Sequence, residues 1–510
     1  MPDQKVLSSC PRSYFVNQMQ RLSFSTLPDL FRSDYFLPVL FLFFLFVAGT
    51  SLWNRPFDEV GDEALIGLQT IRAGQFAEGV GPYSRVGFHH PGPISFYFYA
   101  AADRLFPFIQ ATGQRYRFVQ FLLNAALLSW SFSLLRRLLP GRSALLYLAF
   151  FLVGIAPVYR DFWFSIWGPL VLIIPYMLFF VSYMGLSRGR LDHLLPGMVA
   201  AVFILHNHVS GITLLVPLAL VAFWKLFRLR SQWTPGRHSL ISVGIAVLVL
   251  LITSIPPLVD EFAGTGNLSN IYRYFTGHGS ASRKFDIVLV YLTGYYLDPV
   301  RPLITMNPIL WFGILTGLPL LVWNRLDPIW RSLHANLMLV FFLSLVAAMR
   351  ISGDLVPHLF WQLYPFVAFH LLLAAVSLAS LITIRLPEPR LVVLQTALVL
   401  LALVITLYRP NPLPAGPTGI EKVMAEIRSY PGPYRLVFPL GSADHDRWVE
   451  AAGLALKIVR EGGSYCVDEE WSFMFPHGST CTDDFSGTTL RLTSLDSGAL
   501  IIRREEGTTR

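Results

Sequence analysis

The chain has 510 residues, of which 54% are hydrophobic and only 14% charged, with a mean hydropathy of +0.51. Soluble domains carry about a quarter charged residues, so a cytosolic enzyme is excluded. Forty Lys and Arg against 32 Asp and Glu leave a net charge of +8, which is assigned to basic cytoplasmic loops and not to nucleic-acid binding.

Residues 1–35 form a polar leader with Lys5, Arg12, Arg21 and Arg32, expected in the cytoplasm. Phe36–Trp53 is the first apolar run, read as a signal anchor because many more runs follow it. Further spans are expected at Phe118–Leu135, Ser143–Val158, Phe162–Leu186, Leu194–Leu205, Gly211–Phe227 and Leu240–Pro257. Pro308–Trp323, Ala335–Ala348, Leu359–Ile384 and Leu391–Leu407 complete about eleven transmembrane helices. Alternation from a cytoplasmic start puts the basic turns inside: Arg136 with Arg137, Arg188 with Arg190, Lys225–Arg237, Arg325–Arg331, and Arg385 with Arg390. The fold class is thus an α-helical polytopic membrane protein, with its membrane domain at 36–408.

Outside lie the long first loop 54–117, a tight turn at Tyr159–Asp161, a turn at His206–Ser210 and the loop Leu258–Asn307. Glycines at 264, 266, 277 and 279 mark that last loop as flexible, a candidate lid. A proline-rich linker, Arg409–Pro417, leads into a tail expected to be a small extracytoplasmic α/β domain over 409–510. Helices are predicted at Ile420–Ser429 and Arg447–Glu461, and strands at Tyr434–Phe438 and Leu500–Arg503. Of the three cysteines, Cys466 and Cys481 share the tail, and an oxidising compartment would let them pair.

The first loop concentrates ionisable groups. Asp58, Glu59, Asp62 and Glu63 fall within six positions, and a helix from Asp62 to Gln75 would bring carboxylates to one face. Close carboxylates at a membrane surface suit a general base; the plainer account is a helix N-terminus whose acids favour the dipole. Downstream, Arg85, His89 and His90 stand before a Pro91–Pro93 turn and an aromatic stretch, Ile94–Tyr99. Arg160 with Asp161 sits in a minimal turn between spans, where a charged pair also simply marks the membrane surface. His206 and His208 lie two apart and do not share a helix face, which disfavours a helical zinc site.

Asp62-Glu63, the helix ending Ala73-Gly74-Gln75-Phe76, and His89-His90-Pro91-Gly92-Pro93 resemble the first external loop of GT-C glycosyltransferases. The likeness is to the protein-mannosyltransferase and lipid A aminoarabinose-transferase branch. Gly113–Arg117 before a span ending Arg136-Arg137, and the late motif His358–Pro365, are similar to that family too. Pro-Gly-Pro stands where the family has Pro-Pro, so its donor choice is not carried over.

The resemblance implies a membrane glycosyltransferase of the inverting kind. It would take a polyprenyl-phosphate-linked sugar among membrane lipids and pass the sugar to an extracytoplasmic glycan, lipid or protein acceptor. It casts Asp62 as the base, with Glu63 or Asp58 in support. Arg85, His89, His90, Arg160 and His358 are then candidates for the donor phosphate, and Asp161 for acceptor or a divalent cation. The rival classes are a transporter or flippase of lipid-linked saccharides, which would want ionisable groups in mid-span, and a non-catalytic envelope assembly protein in the cell membrane.

Overall fold

The computed structural model describes residues 58–155, 160–230, 236–277, 283–301, 303–351, 354–382, 420–438, 447–494 and 500–505, with scattered positions between 39 and 50. The leader, most of the first expected span, the last span Leu391–Leu407 and the proline-rich linker lie outside the described residues.

Among the described residues, six helices are long and apolar enough to cross a bilayer: Thr112–Leu138, Gly168–Leu186, Val209–Arg228, Arg237–Ala263, Pro328–Met349 and Pro357–Ile382. Four shorter apolar helices accompany them, at Ser143–Ile155, Leu191–Asn207, Phe285–Leu297 and Pro308–Leu321. The chain is a multi-pass helical membrane protein. Hydroxyls within these helices turn back on the helix itself, as Ser344 Oγ does on Val340 O (2.8 Å) and Ser377 Oγ on Leu373 O (2.8 Å), which satisfies those donors inside the apolar bundle. Pro308 opens its helix, and Asn307 Oδ1 accepts from the N–H groups of Ile309 and Leu310.

The loop expected over Leu258–Asn307 is mostly helix, which corrects the flexible-lid expectation. Arg237–Ala263 runs past the anticipated end, and helices Asn267–Gly277 and Phe285–Leu297 follow. Phe285–Leu297 is 13 residues long, about 20 Å against a hydrocarbon core of about 30 Å. Arg283 N–H donates to Met349 O (3.2 Å), and Tyr295 hydroxyl to Pro357 O (3.0 Å). Arg283, just before this helix, thus meets the 349–351 end of the bundle, while Tyr296 near its C-terminus packs against Phe341 and His370 of two long spans.

The two ends of the bundle differ in chemistry. Arg190 reaches Arg137 O and Arg325 reaches Ser380 O, so basic turns join at one end. At the other, the first loop meets the 206–209 turn, Asn267, Trp167 and, through it, His358.

The segment after the gap carries a four-stranded sheet in the order β2-β1-β3-β4, with β1 Tyr434–Val437, β2 Tyr465–Val467, β3 Thr488–Ser494 and β4 Leu500–Glu505. β1 is parallel to β2 and β3, while β4 runs antiparallel to β3. Helices Ile420–Ile427 and Arg447–Arg460 cover it, and Cys466 is bonded to Cys481. One apolar core spans this unit and the first loop: Ala64, Leu65 and Leu68 are buried together with Trp448, Ala451, Ala452 and Leu456.

Candidate active site

Helix Gly61–Gly74 begins with Asp62 and Glu63 in its first turn, where the exposed N–H ends of the helix favour negative charge. Asp62 is half-buried, and both of its oxygens are engaged. Tyr83 hydroxyl donates to Oδ1 at 2.6 Å, and Trp167 Nε1–H donates to Oδ2 at 2.8 Å. Two neutral donors fix the carboxylate while leaving lone pairs open, since a carboxylate accepts about four hydrogen bonds.

Tyr83 stands on a tight hairpin closed by Gly81 N–H to His90 O and His90 N–H to Pro82 O, both 2.8 Å. Burial raises the Tyr83 hydroxyl far above its ordinary pKa, and the Asp62 charge raises it further; it stays a donor. The hairpin tip carries Arg85, exposed to solvent and within electrostatic reach of Tyr83.

Trp167 precedes Gly168-Pro169, where a helix starts with proline at its N-terminal position. Its ring lies 5.3 Å from His358 and 5.5 Å from Trp361. His358 is half-buried and within electrostatic reach of both Arg85 and Asp62. Four groups from distant stretches thus converge: Asp62, Arg85, His358 and the Tyr83–Trp167 donor pair.

Other candidates are engaged elsewhere. Glu63 is held by Arg117, whose Nη2 donates to both carboxylate oxygens at 2.9 and 3.1 Å; Arg117 is buried. Asp58 pairs with Lys457 Nζ at 3.2 Å, which links it to the C-terminal α/β unit. Glu59 is gripped by Arg460.

His89 and His90 are engaged at the hairpin as well. His89 N–H donates to Asn267 Oδ1 (2.9 Å) and Asn267 Nδ2–H donates back to His89 O (2.9 Å). Burial lowers the His89 ring to about 4. The His90 ring lies 4.4 Å from that of His208 and accepts Val209 N–H; burial, then the His208 neighbour, drives it well below its usual value. The His89 backbone and the His90 ring together stitch the hairpin to the bundle. Arg160 opens a short 3-10 helix, Arg160–Trp163, but the side chains of Arg160 and Asp161 lie outside the described residues. Among the described residues, no three His, Cys, Asp or Glu side chains gather as metal ligands would.

Glu78 went unnoticed in the sequence. It is 4% exposed and lies 3.3 Å from Arg72. Burial raises its carboxyl from 4.5 to about 7, with Arg72 and the Val80 N–H opposing the rise. Because the folded value exceeds the unfolded one, the folded protein holds an extra proton between pH 4.5 and 7. Stability attached to this group therefore falls as pH rises through that window, by about 3 kcal/mol in all. Glu78→Gln is expected to melt higher than wild type at pH 8 by more than it does at pH 5, measured by thermal unfolding in detergent. The buried histidines contribute equally to both proteins and cancel in the difference; a difference independent of pH would refute the assignment.

No family model and no curated protein matches this chain. Among solved structures it is similar to ArnT from Cupriavidus metallidurans bound to undecaprenyl phosphate, at 15% identity and a TM-score of 0.48, covering 89% of this chain and 92% of that one. It is also similar to the arabinosyltransferase EmbB from Mycobacterium smegmatis, at 13% identity and a TM-score of 0.37, over 94% of this chain and 47% of that one. The chain spans about half the length of EmbB.

Proposed function

We propose that this chain is a glycosyltransferase that moves a sugar from a polyprenyl-phosphate donor to an acceptor hydroxyl at the bundle end holding Asp62. The observation that carries the reading is the Asp62 carboxylate, fixed by Tyr83 and Trp167 and flanked by Arg85 and His358. The sequence resemblance of the first loop supplies the donor class.

In the reaction, Asp62 takes the proton of the acceptor O–H as the oxygen attacks the anomeric carbon. The bond from that carbon to the phosphate oxygen breaks, and the electron pair leaves with the polyprenyl phosphate. A single displacement inverts the anomeric centre. Arg85 is a permanent cation on a mobile stem at the hairpin tip, suited to the growing charge on the phosphate. His358, between Trp167 and Trp361, offers a ring N–H to the same oxygens. Glu63 serves the base by anchoring its helix through Arg117.

Deletion of the gene and complementation with wild type tests the reading. Mass spectrometry of envelope glycans and of polyprenyl-linked sugars is expected to show a missing sugar and an accumulated polyprenyl-phosphate sugar in the deletion alone. Unchanged envelope sugars and an unchanged lipid-linked pool would overturn it. Accumulation of the lipid-linked sugar on the cytoplasmic face would move the assignment to a flippase.

A further inference from the structure

We propose that the outer α/β unit is a working part of the reaction centre, with Arg460 as the residue that positions Asp62 through Glu59. This rests on Asp62 as the base of the proposed transfer. Two grips support it.

The first takes hold of the turn just before Asp62. Arg460 forms a two-pronged pair with Glu59, Nη1 to Oε2 and Nη2 to Oε1, the latter at 3.0 Å. Glu59 is 5% exposed, so its charge depends on that partner. Two glycines make the approach possible. A Cβ on Gly453 would meet Glu59 O at 2.8 Å, and one on Gly113 would lie 2.5 Å from the Glu59 carboxyl carbon. One turn earlier on the same helix, Lys457 holds Asp58. The Arg447–Arg460 helix thereby clamps the segment entering Gly61–Gly74 with two cations, while Leu456 packs on Gly67.

The second grip reaches the hydrogen-bond donor of Asp62. The Phe473 ring lies 6.4 Å from that of Tyr83, and Arg72 Nη1–H donates to His477 O at 3.1 Å. The outer unit therefore touches both the backbone that carries the base and the side chain that aims it. A catalytic group displaced by about 1 Å loses on the order of a hundredfold in rate, so a clamp on residues 58–62 acts on the chemistry without touching substrate.

The test uses the full chain in the deletion strain, with Arg460→Met, Arg460→Lys, Lys457→Met and Asp62→Asn beside wild type. Product is the envelope sugar that the deletion loses, normalised to membrane protein level. Backbone hydrogen exchange is followed in detergent over peptides 58–69, 434–437 and 488–494. Arg460→Met is expected to lower product about tenfold or more and to speed exchange over 58–69 while both strands stay protected; Arg460→Lys regains most of both. Should Arg460→Met fail to reach the membrane, Lys457→Met is read in the same way. Unchanged exchange over 58–69, or wild-type product despite faster exchange there, overturns the positioning role. Full product from Asp62→Asn would instead sink the base assignment, and the exchange data would still judge the clamp.

Discussion

Asp62→Asn is expected to lower sugar transfer by about 10²–10⁴-fold, the usual contribution of a positioned general base, with protein level unchanged. The loss has two sources. An amide cannot take the acceptor proton, and it also fits its neighbours badly. Tyr83 and Trp167 each offer a donor to a different oxygen of Asp62, whereas asparagine has one oxygen and an NH₂ that must face the other donor. Tyr83→Phe removes one orienting bond and leaves the base, so its loss is smaller, about tenfold or less. The order Asp62→Asn far below Tyr83→Phe, measured as product formed by membranes from the complemented deletion strain, is the check. Equal losses would mean that Asp62 serves the structure and not the proton.

Why Asp62 was legible and its neighbours were not follows from their chemistry. Four carboxylates close together after an apolar span drew attention to the loop, and the family resemblance picked out Asp62 among them and His358 in its late motif. Tyr83 and Trp167 carry no such signal, because aromatic residues at a membrane surface are ordinary anchors. For Trp167 the clue was Gly168-Pro169, which starts a helix and leaves the tryptophan outside it. The partners of Asp58 and Glu59 lie about 400 residues away at Lys457 and Arg460, beyond any local pattern. For His89 and His90 the partners that hold the pair, Asn267 and Val209, likewise lie far along the chain and leave no local pattern. Long apolar runs marked the bundle, while Phe285–Leu297 fell short of a span and β2, three residues long, fell below any strand pattern.

The second large effect concerns Arg117, whose loss is expected to cost about 3–5 kcal/mol of stability, as breaking one side of a buried pair does. Arg117 and Glu63 are 6% and 18% exposed at the side chain, so water reaches neither well. Arg117 stands early in helix Thr112–Leu138, and Glu63 in the first turn of Gly61–Gly74. The pair therefore ties the helix that carries Asp62 to the membrane bundle, beside the Arg460 grip, whose Glu59 lies against Gly113 one turn earlier on the same bundle helix. Arg117→Met keeps the bulk but removes the Nη2 donor that reaches both oxygens of the Glu63 carboxylate, and unfolding in detergent should move to clearly lower temperature. Glu63→Gln combined with Arg117→Met removes the charge as well as its partner, and should recover at least half of that loss. Recovery in the double variant separates an unpaired charge from lost packing; a double variant no better than Arg117→Met alone would show that the guanidinium contributes by its contacts and not by its charge. The same comparison read on product yield tells whether fixing the base needs both ion pairs. A charge-free but well-folded double variant with wild-type yield would leave the Arg460–Glu59 pair as the ion pair that fixes the helix carrying Asp62.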